Sequence, residues 1–454
     1  MSFLEKMKIV MWKQVFFSAA LLALAVACGT PAGKQDKTAD GGLQLPLPED
    51  VVMYQVNPRV FAPRQSFNAV AGYVDSIQAL GANVVWFMPL NEVGQEKSVN
   101  SPYCVKNYKT LNPEFGTMDE FKSLVSRFHS KGISVIIDWV ANHTSWDNAW
   151  LANKDWYTQD AEGNIVSPAN TGWLDVADLN FDNREMRLAM IDAMKFWVDS
   201  VGVDGFRCDA ADFVPYDFWK QAIDSLRAPG RRPLLMLAEG KRKDHFKAGF
   251  DMNYAWDFLE SLRQVMRQDS CASQLFATDE AEYDSLAVGK VKLRFTTNHD
   301  EMTKMSPIKE FHGERGAMAA FVLTTSLHGG ALIYSSQEVG YEDTINFFRY
   351  CPVDWKANNS LRQEFCRFMK LYNSHDAIRK GSLKKYPLCD VLMYEKAKAD
   401  ERILFVVNVR GEARQIALPQ DWKGHEATDL MQDASLQLAD TLTMEPYQYR
   451  ILTY

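Results

Sequence analysis

Three acidic residues, Asp209, Glu239 and Asp300, each close a short strand-like run, and their intervals constrain the fold more than any other feature of the chain. The runs are residues 203–209, 234–239 and 295–300. A βαβ unit takes about 30 residues or more. Asp209 and Glu239 stand 30 residues apart, one such unit, and Glu239 and Asp300 stand 61 apart, two units. That spacing fits a (β/α)8 barrel, in which residues at the C-terminal strand ends converge on one mouth. An acid, a base or nucleophile, and one further charge gathered there are what cleavage of a glycosidic bond requires.

Composition is compatible with that reading. The 454 residues suffice for a large barrel and one further small domain. Apolar content of 47% and charged content of 24% describe an ordinary globular protein. A net charge of −8 speaks against nucleic acid as substrate or partner and leaves a neutral sugar chain open.

The N-terminus reads as an address. Lys6, Lys8 and Lys13 precede an apolar run from Val15 to Ala27 that is too short to span a bilayer, as in a secretion signal. Cys28 follows directly after small residues and resembles a bacterial lipoprotein cleavage box. The expectation is a signal peptide over 1–27 and an exported protein, periplasmic or at the cell surface, held to the membrane by a lipid on Cys28. Residues 28–47, rich in Gly, Pro, Lys and Asp, would form a flexible tether. The other six cysteines form no C-x-x-C pair and suggest no zinc site, and most are expected to be buried free thiols. Cys104 and Cys208 lack an adjacent His, so neither is read as a nucleophile.

The pattern along the chain supports a barrel. Runs at 51–56, 83–87 and 133–138 suit strands buried on both faces. Thr117 and Glu120 have the spacing of a capping box at the head of a helix. From His143 the rhythm breaks into Trp, Asn, Asp and Gly until about Asn183, which predicts a small inserted domain after the third strand. Alternation then resumes, with a sixth strand near 249–253, a seventh over 291–297 and an eighth over 330–334. Beyond about Ser382 alternating segments predict an antiparallel β-sandwich. The expected domains are a barrel over 48–142 and 183–378, the insert over 143–182, and a C-terminal domain over 379–454.

Six blocks in order resemble the α-amylase family, glycoside hydrolase family 13. They are residues 138–143, beginning Asp138-Trp139; 205–209, ending Cys208-Asp209; Ala238-Glu239; Thr297-Asn298-His299-Asp300; 176–180 within the insert; and Ser101-Pro102-Tyr103 with the residues that follow it. Residue chemistry and the resemblance together make Asp209 the nucleophile, kept anionic by Arg207 two positions earlier on the same strand face. Glu239 is then the general acid and base, and Asp300 the group that stabilises the transition state. The resemblance implies that His143 and His299 donate hydrogen bonds to sugar hydroxyls and that Tyr103 stacks on the sugar. Asp138 orders the strand ends. Trp146, Trp150, Trp156, Tyr157 and Trp173 offer either sugar platforms or a core for the insert.

The resemblance implies no cofactor for the chemistry. It does point to Asn142 and Asp178 as ligands of a structural calcium, oxygen donors of the kind calcium takes. The pattern departs from the family at Asp212 and Phe213, where Lys and His are common. The expected activity is retaining hydrolysis of α-glucosidic bonds, chiefly α-1,4, in starch-derived glucans or maltooligosaccharides. An α-glucan glycosyltransferase on the same scaffold and a non-catalytic glycan-binding lipoprotein are the alternatives.

Overall fold

In the computed structural model, which describes residues 43–454, eight parallel strands close on themselves. The leader, Cys28 and most of the tether lie outside the described residues. The strands are Val52–Val56, Val84–Phe87, Ser134–Trp139, Gly205–Cys208, Leu235–Ala238, Met252–Tyr254, Val291–Arg294 and Gly330–Tyr334. Each pairs in parallel with its neighbours in sequence, and the first closes the barrel on the eighth through Val52 opposite Ala331. All their residues are buried, which is why the runs read as continuously apolar. The helices between them pack outside, among them Met118–Ser130, whose Thr117 and Glu120 form the expected capping box.

Closure brings backbones into contact where a side chain would not fit. Gly205 opens the fourth strand at φ 155°, and a Cβ there would lie 1.9 Å from the carbonyl oxygen of Leu235. The seventh strand stops at Arg294, three residues short of the expected end, and Asp300 lies beyond it at the start of a short helical turn, Glu301–Thr303. The connecting residues, Thr296 to His299, leave the ladder but stay buried, so they look like strand in the sequence.

The insert is held by an antiparallel pair, His143–Ser145 with Val176–Asp178. Most of its aromatics pack onto the barrel's core: Trp150 lies on Tyr108 and Trp156, and Tyr157 is buried within that core. Helix resumes at Arg184, capped by the Asn183 side chain.

The C-terminal domain has a six-stranded antiparallel sheet and a two-stranded partner, Arg414–Ala417 with Thr441–Met444. Val391, Met393, Leu404 and Val406 face that partner, while Leu392, Tyr394, Phe405 and Val407 join the barrel's core. Both faces are therefore covered. Cys271 and Cys389 form a disulfide across 118 residues, from barrel to C-terminal domain. Cys104, Cys208, Cys351 and Cys366 are free.

Closing a loop of that length removes conformational freedom from the unfolded chain, a stabilisation of about 4–5 kcal/mol. A Cys271→Ser, Cys389→Ser double variant is therefore expected to unfold at distinctly lower denaturant concentration than the oxidised protein. Superimposable denaturation curves would show that the bridge contributes nothing.

Candidate active site

The site is built around one guanidinium. Arg207 and Asp138 are register partners on adjacent strands, so their side chains meet inside the barrel. Arg207 Nη1 donates to Asp138 Oδ1 and to Asp209 Oδ1, both at 2.9 Å, and its Nη2 lies 2.8 Å from Glu239 Oε1. Its Nε donates to the Tyr254 hydroxyl at 3.1 Å. Trp86 lies against the guanidinium, 4.9 Å from ring centre to Cζ. Arg207 is wholly buried, and the carboxylates it gathers come from three successive strands.

The loops after the fourth and fifth strands are stitched together. Ala210, left-handed at φ 43°, donates its N–H to Glu239 Oε2 at 2.7 Å. Ala211 N–H donates to the Glu239 carbonyl at 3.0 Å. Asp212 turns towards the next loop and accepts from the N–H groups of Lys241 at 3.2 Å and Arg242 at 3.4 Å. Only a glycine fits at 240, where a Cβ would stand 2.4 Å from Asp212 Oδ1. Phe213 is left 58% exposed, its ring 5.8 Å from that of Trp173.

A cavity of about 220 Å³ opens above this cluster. Asp209, Glu239, Asp300, Tyr103, His143 and His299 all line it. Gln55 Nε2 donates to His299 Nδ1 at 2.8 Å, which places the ring proton on Nε2. That Nε2 lies 2.6 Å from the Tyr103 hydroxyl, and Tyr103 donates in turn to Asp138 Oδ2 at 3.2 Å. His299 therefore reaches a sugar only by releasing Tyr103. The Tyr103 ring stacks on His299 at 5.5 Å.

Charge in the cluster does not follow the sequence expectation. Burial, and then the carboxylate of Glu239, push Asp209 well above the usual carboxylate range, and the pull of Arg207 does not reverse this. Asp138 is raised to about 7, chiefly by burial, and burial likewise raises Asp300. One cation between Asp138 and Asp209 does not hold both ionised against burial, so the two titrate together. Burial lowers His143 to about 4, and burial with Arg207 lowers His299 to about 3, so both rings are neutral at ordinary pH.

Comparison with known proteins is decisive at this point. The alpha amylase catalytic domain model matches residues 66–384, and that of the maltogenic amylase C-terminal domain matches residues 387–451. The chain belongs to the α-amylase family. It is 24% identical over 405 residues to alpha-amylase MalA of Haloarcula japonica, covering 84% of this chain and 58% of that protein. With alpha-amylase 3 of Dictyoglomus thermophilum it shares 26% over 448 residues, 81% of this chain and 86% of the relative. A cyclomaltodextrin glucanotransferase of Geobacillus stearothermophilus is 27% identical over 379 residues, 72% of this chain and 52% of the relative. The chain thus spans little more than half the length of the first and third of these relatives. Among solved structures, the maltogenic alpha-amylase AmyB of Thermotoga neapolitana has the same fold, with a TM-score of 0.81 at 23% identity over 89% of this chain and 99% of that one.

Within this amylase-family scaffold, the two candidate calcium ligands sit side by side. Strand pairing sets His143 opposite Asp178, and the Asn142 carbonyl accepts the Leu179 N–H. Burial raises Asp178. Both residues are oxygen donors of the kind calcium takes, in a shell of about six to eight, and among the described residues no group of three or more His, Cys, Asp or Glu gathers as a metal site. No step below uses a metal.

Several cavity residues carried no signal in the sequence. In the loop after the eighth strand Phe347 packs on His299, Phe348 packs on Phe347 and lines the cavity, and Tyr254 and Gln55 steady the cluster from below. The position of the two Phe residues just beyond a barrel strand was the one available clue. Burial raises Cys104 to about 12 and lifts Cys208 well above its usual range, in keeping with their exclusion as nucleophiles.

The lowered His143 has a measurable consequence. Between about pH 6.5 and 4 the unfolded chain binds a proton there that the folded chain does not, so stability is lost as pH falls through that window. The stability advantage of wild type over His143→Asn is expected to shrink on acidification from pH 6.5 to 4. A gap independent of pH would refute a buried neutral His143.

Proposed function

We propose that the protein hydrolyses α-glucosidic bonds, with α-1,4 linkages favoured, in starch-derived glucans or maltooligosaccharides, with retention of configuration. One observation carries this reading: Arg207 holds Asp209 on one terminal nitrogen and Glu239 on the other. A nucleophile and an acid bound to one guanidinium are near neighbours, as the separation of about 5–5.5 Å in retaining enzymes requires.

Asp209 attacks the anomeric carbon as Glu239 delivers a proton to the departing glycosidic oxygen, leaving a glycosyl ester on Asp209. Glu239 then takes a proton from water, which attacks the same carbon and frees Asp209. Asp300 faces the positive charge that develops on the ring. Neutral His143 offers an N–H to hydroxyls without adding charge, and His299 does the same once its Nε2–H leaves Tyr103. At its N-terminus the chain is exported and lipid-anchored through Cys28, a reading supported by the small residues before that cysteine.

Transfer to a second sugar is favoured by one specific feature. Trp173 lines the cavity and Phe213 stands exposed beside it, so an acceptor sugar has an apolar wall to rest on.

Asp209→Asn is expected to abolish activity on maltoheptaose, and NMR of early wild-type product should show the α-anomer. A β-anomer would refute retention. Glu239→Gln should lose about 100-fold or more on maltoheptaose and far less on an aryl α-glucoside with a good leaving group; equal losses would remove Glu239 from the acid role. Phe213→Ala should reduce products longer than maltoheptaose relative to shorter ones, and an unchanged ratio would separate the aromatic wall from transfer.

A further inference from the structure

A second cavity, of about 650 Å³, lies in the seam between the barrel helices and the C-terminal sheet and shares no lining residue with the catalytic cavity. Its size is that of a small-molecule site. Arg315 comes from the helix Glu314–Ser326, Glu364 and Arg367 from Asn359–Ser374, and Tyr449 and Arg450 from the last strand.

Two of this cavity's three arginines, Arg315 and Arg367, are exposed, with their donors open to a ligand. Both of its carboxylates are already engaged: Glu364 accepts from the Tyr449 hydroxyl at 2.6 Å, and Asp429 from Arg450 Nη1 at 2.9 Å and the Met431 N–H at 3.1 Å. The guanidinium donors are not. Each arginine carries five N–H groups. Arg367 donates from its Nη1 to the Met431 carbonyl at 2.8 Å, and among the described residues neither Arg315 nor Arg367 has a carboxylate within 4.0 Å. Arg450 Nε is shut off from solvent with no acceptor. A surplus of cationic donors stands in a cavity of a protein whose net charge is −8.

An aromatic surface borders the same cavity. The Tyr447 ring lies nearly parallel to that of His312, 13° apart with centres 5.6 Å apart. Both residues are left-handed, with φ 52° and 63°, a conformation that costs energy without glycine and that clusters at binding sites. Tyr447 also packs close to Gly316, where a Cβ would lie 3.6 Å from its Cγ.

We infer that this seam binds a sugar-sized molecule bearing an oxyanion, its carboxylate or phosphate on the arginines and its ring against Tyr447. Guanidinium recognises both oxyanions by paired, charge-assisted hydrogen bonds. A flat aromatic face suits the C–H surface of a saccharide. The inference stands independently of the catalytic reading.

The test is titration calorimetry of the full chain with glucose 6-phosphate, a galacturonate disaccharide, glucose and inorganic phosphate. Saturable binding of a charged sugar is expected, at least 10-fold tighter than glucose or phosphate alone, since a charged hydrogen bond contributes about 10-fold or more. Binding of one charged sugar and not the other would support the site and identify its oxyanion. Arg315→Ala with Arg367→Ala should weaken binding about 10-fold or more, with thermal midpoint and turnover of maltotriose unchanged. No charged sugar binding, glucose binding equally well, or affinity unaltered in the double variant would each overturn the proposal. Inorganic phosphate binding as tightly as the sugars would reduce the site to a simple ion pocket and overturn it as well.

Discussion

The ion cluster on Arg207 is the constraint on which the mouth of this barrel depends. A buried guanidinium is costly unless its donors are met, and here, from its own and neighbouring strands, Asp138, Asp209 and Tyr254 accept from it while Glu239 stands 2.8 Å from Nη2 as an ion pair without a hydrogen bond. Those strands cannot slide by one residue without losing every one of these contacts, because a one-residue slip turns each side chain to the opposite face. Trp86, Tyr254 and Tyr103 close around the cation and exclude water. The same exclusion raises Asp138 and Asp209 and makes the cluster share protons. A nucleophile must be charged and an acid must hold a proton. One positive charge stands among three carboxylates, and burial favours the protonated form of Asp138 and Asp209.

How much of this was legible depends on whether a feature is local. Barrel strands such as residues 133–138 were readable because burial on both faces leaves an unbroken β-branched run. The C-terminal sheet was readable as a series of alternating segments, but not its two covered faces, since Leu392 and Met393 are both apolar and face different cores. The end of the seventh strand was misplaced because Thr296 and Thr297 stay buried after leaving the ladder. The balance at Asp209 is not local: Arg207, a neighbour in sequence, lowers it, whereas burial and then Glu239, which arrives from the next strand, raise it. The bridge between Cys271 and Cys389 spans 118 residues, and nothing in the spacing of six cysteines selects that pair. Phe347 and Phe348 lie in a loop without periodicity, where only position beyond a strand marks a residue as facing the cavity.

The stitching between the fourth and fifth strand loops explains why the family pattern breaks where it does. Ala210 and Ala211 both donate to Glu239, which fixes the nucleophile's loop to the acid with two short bonds. Strain at Ala210 is accepted there because it aims an N–H at the acid's carboxylate. Asp212 continues the seam with bonds to Lys241 and Arg242, and that route is open only because residue 240 is glycine. An Asp committed to the neighbouring loop is unavailable to a sugar. Phe213, next in the chain, is then turned out towards Trp173. The separation of nucleophile and acid is thus set inside the seam, independently of what lines the rim. Asp209 and Glu239 are held together by the seam, whereas position 213 stands outside it, where an apolar ring replaces a hydrogen-bonding side chain without disturbing either acid.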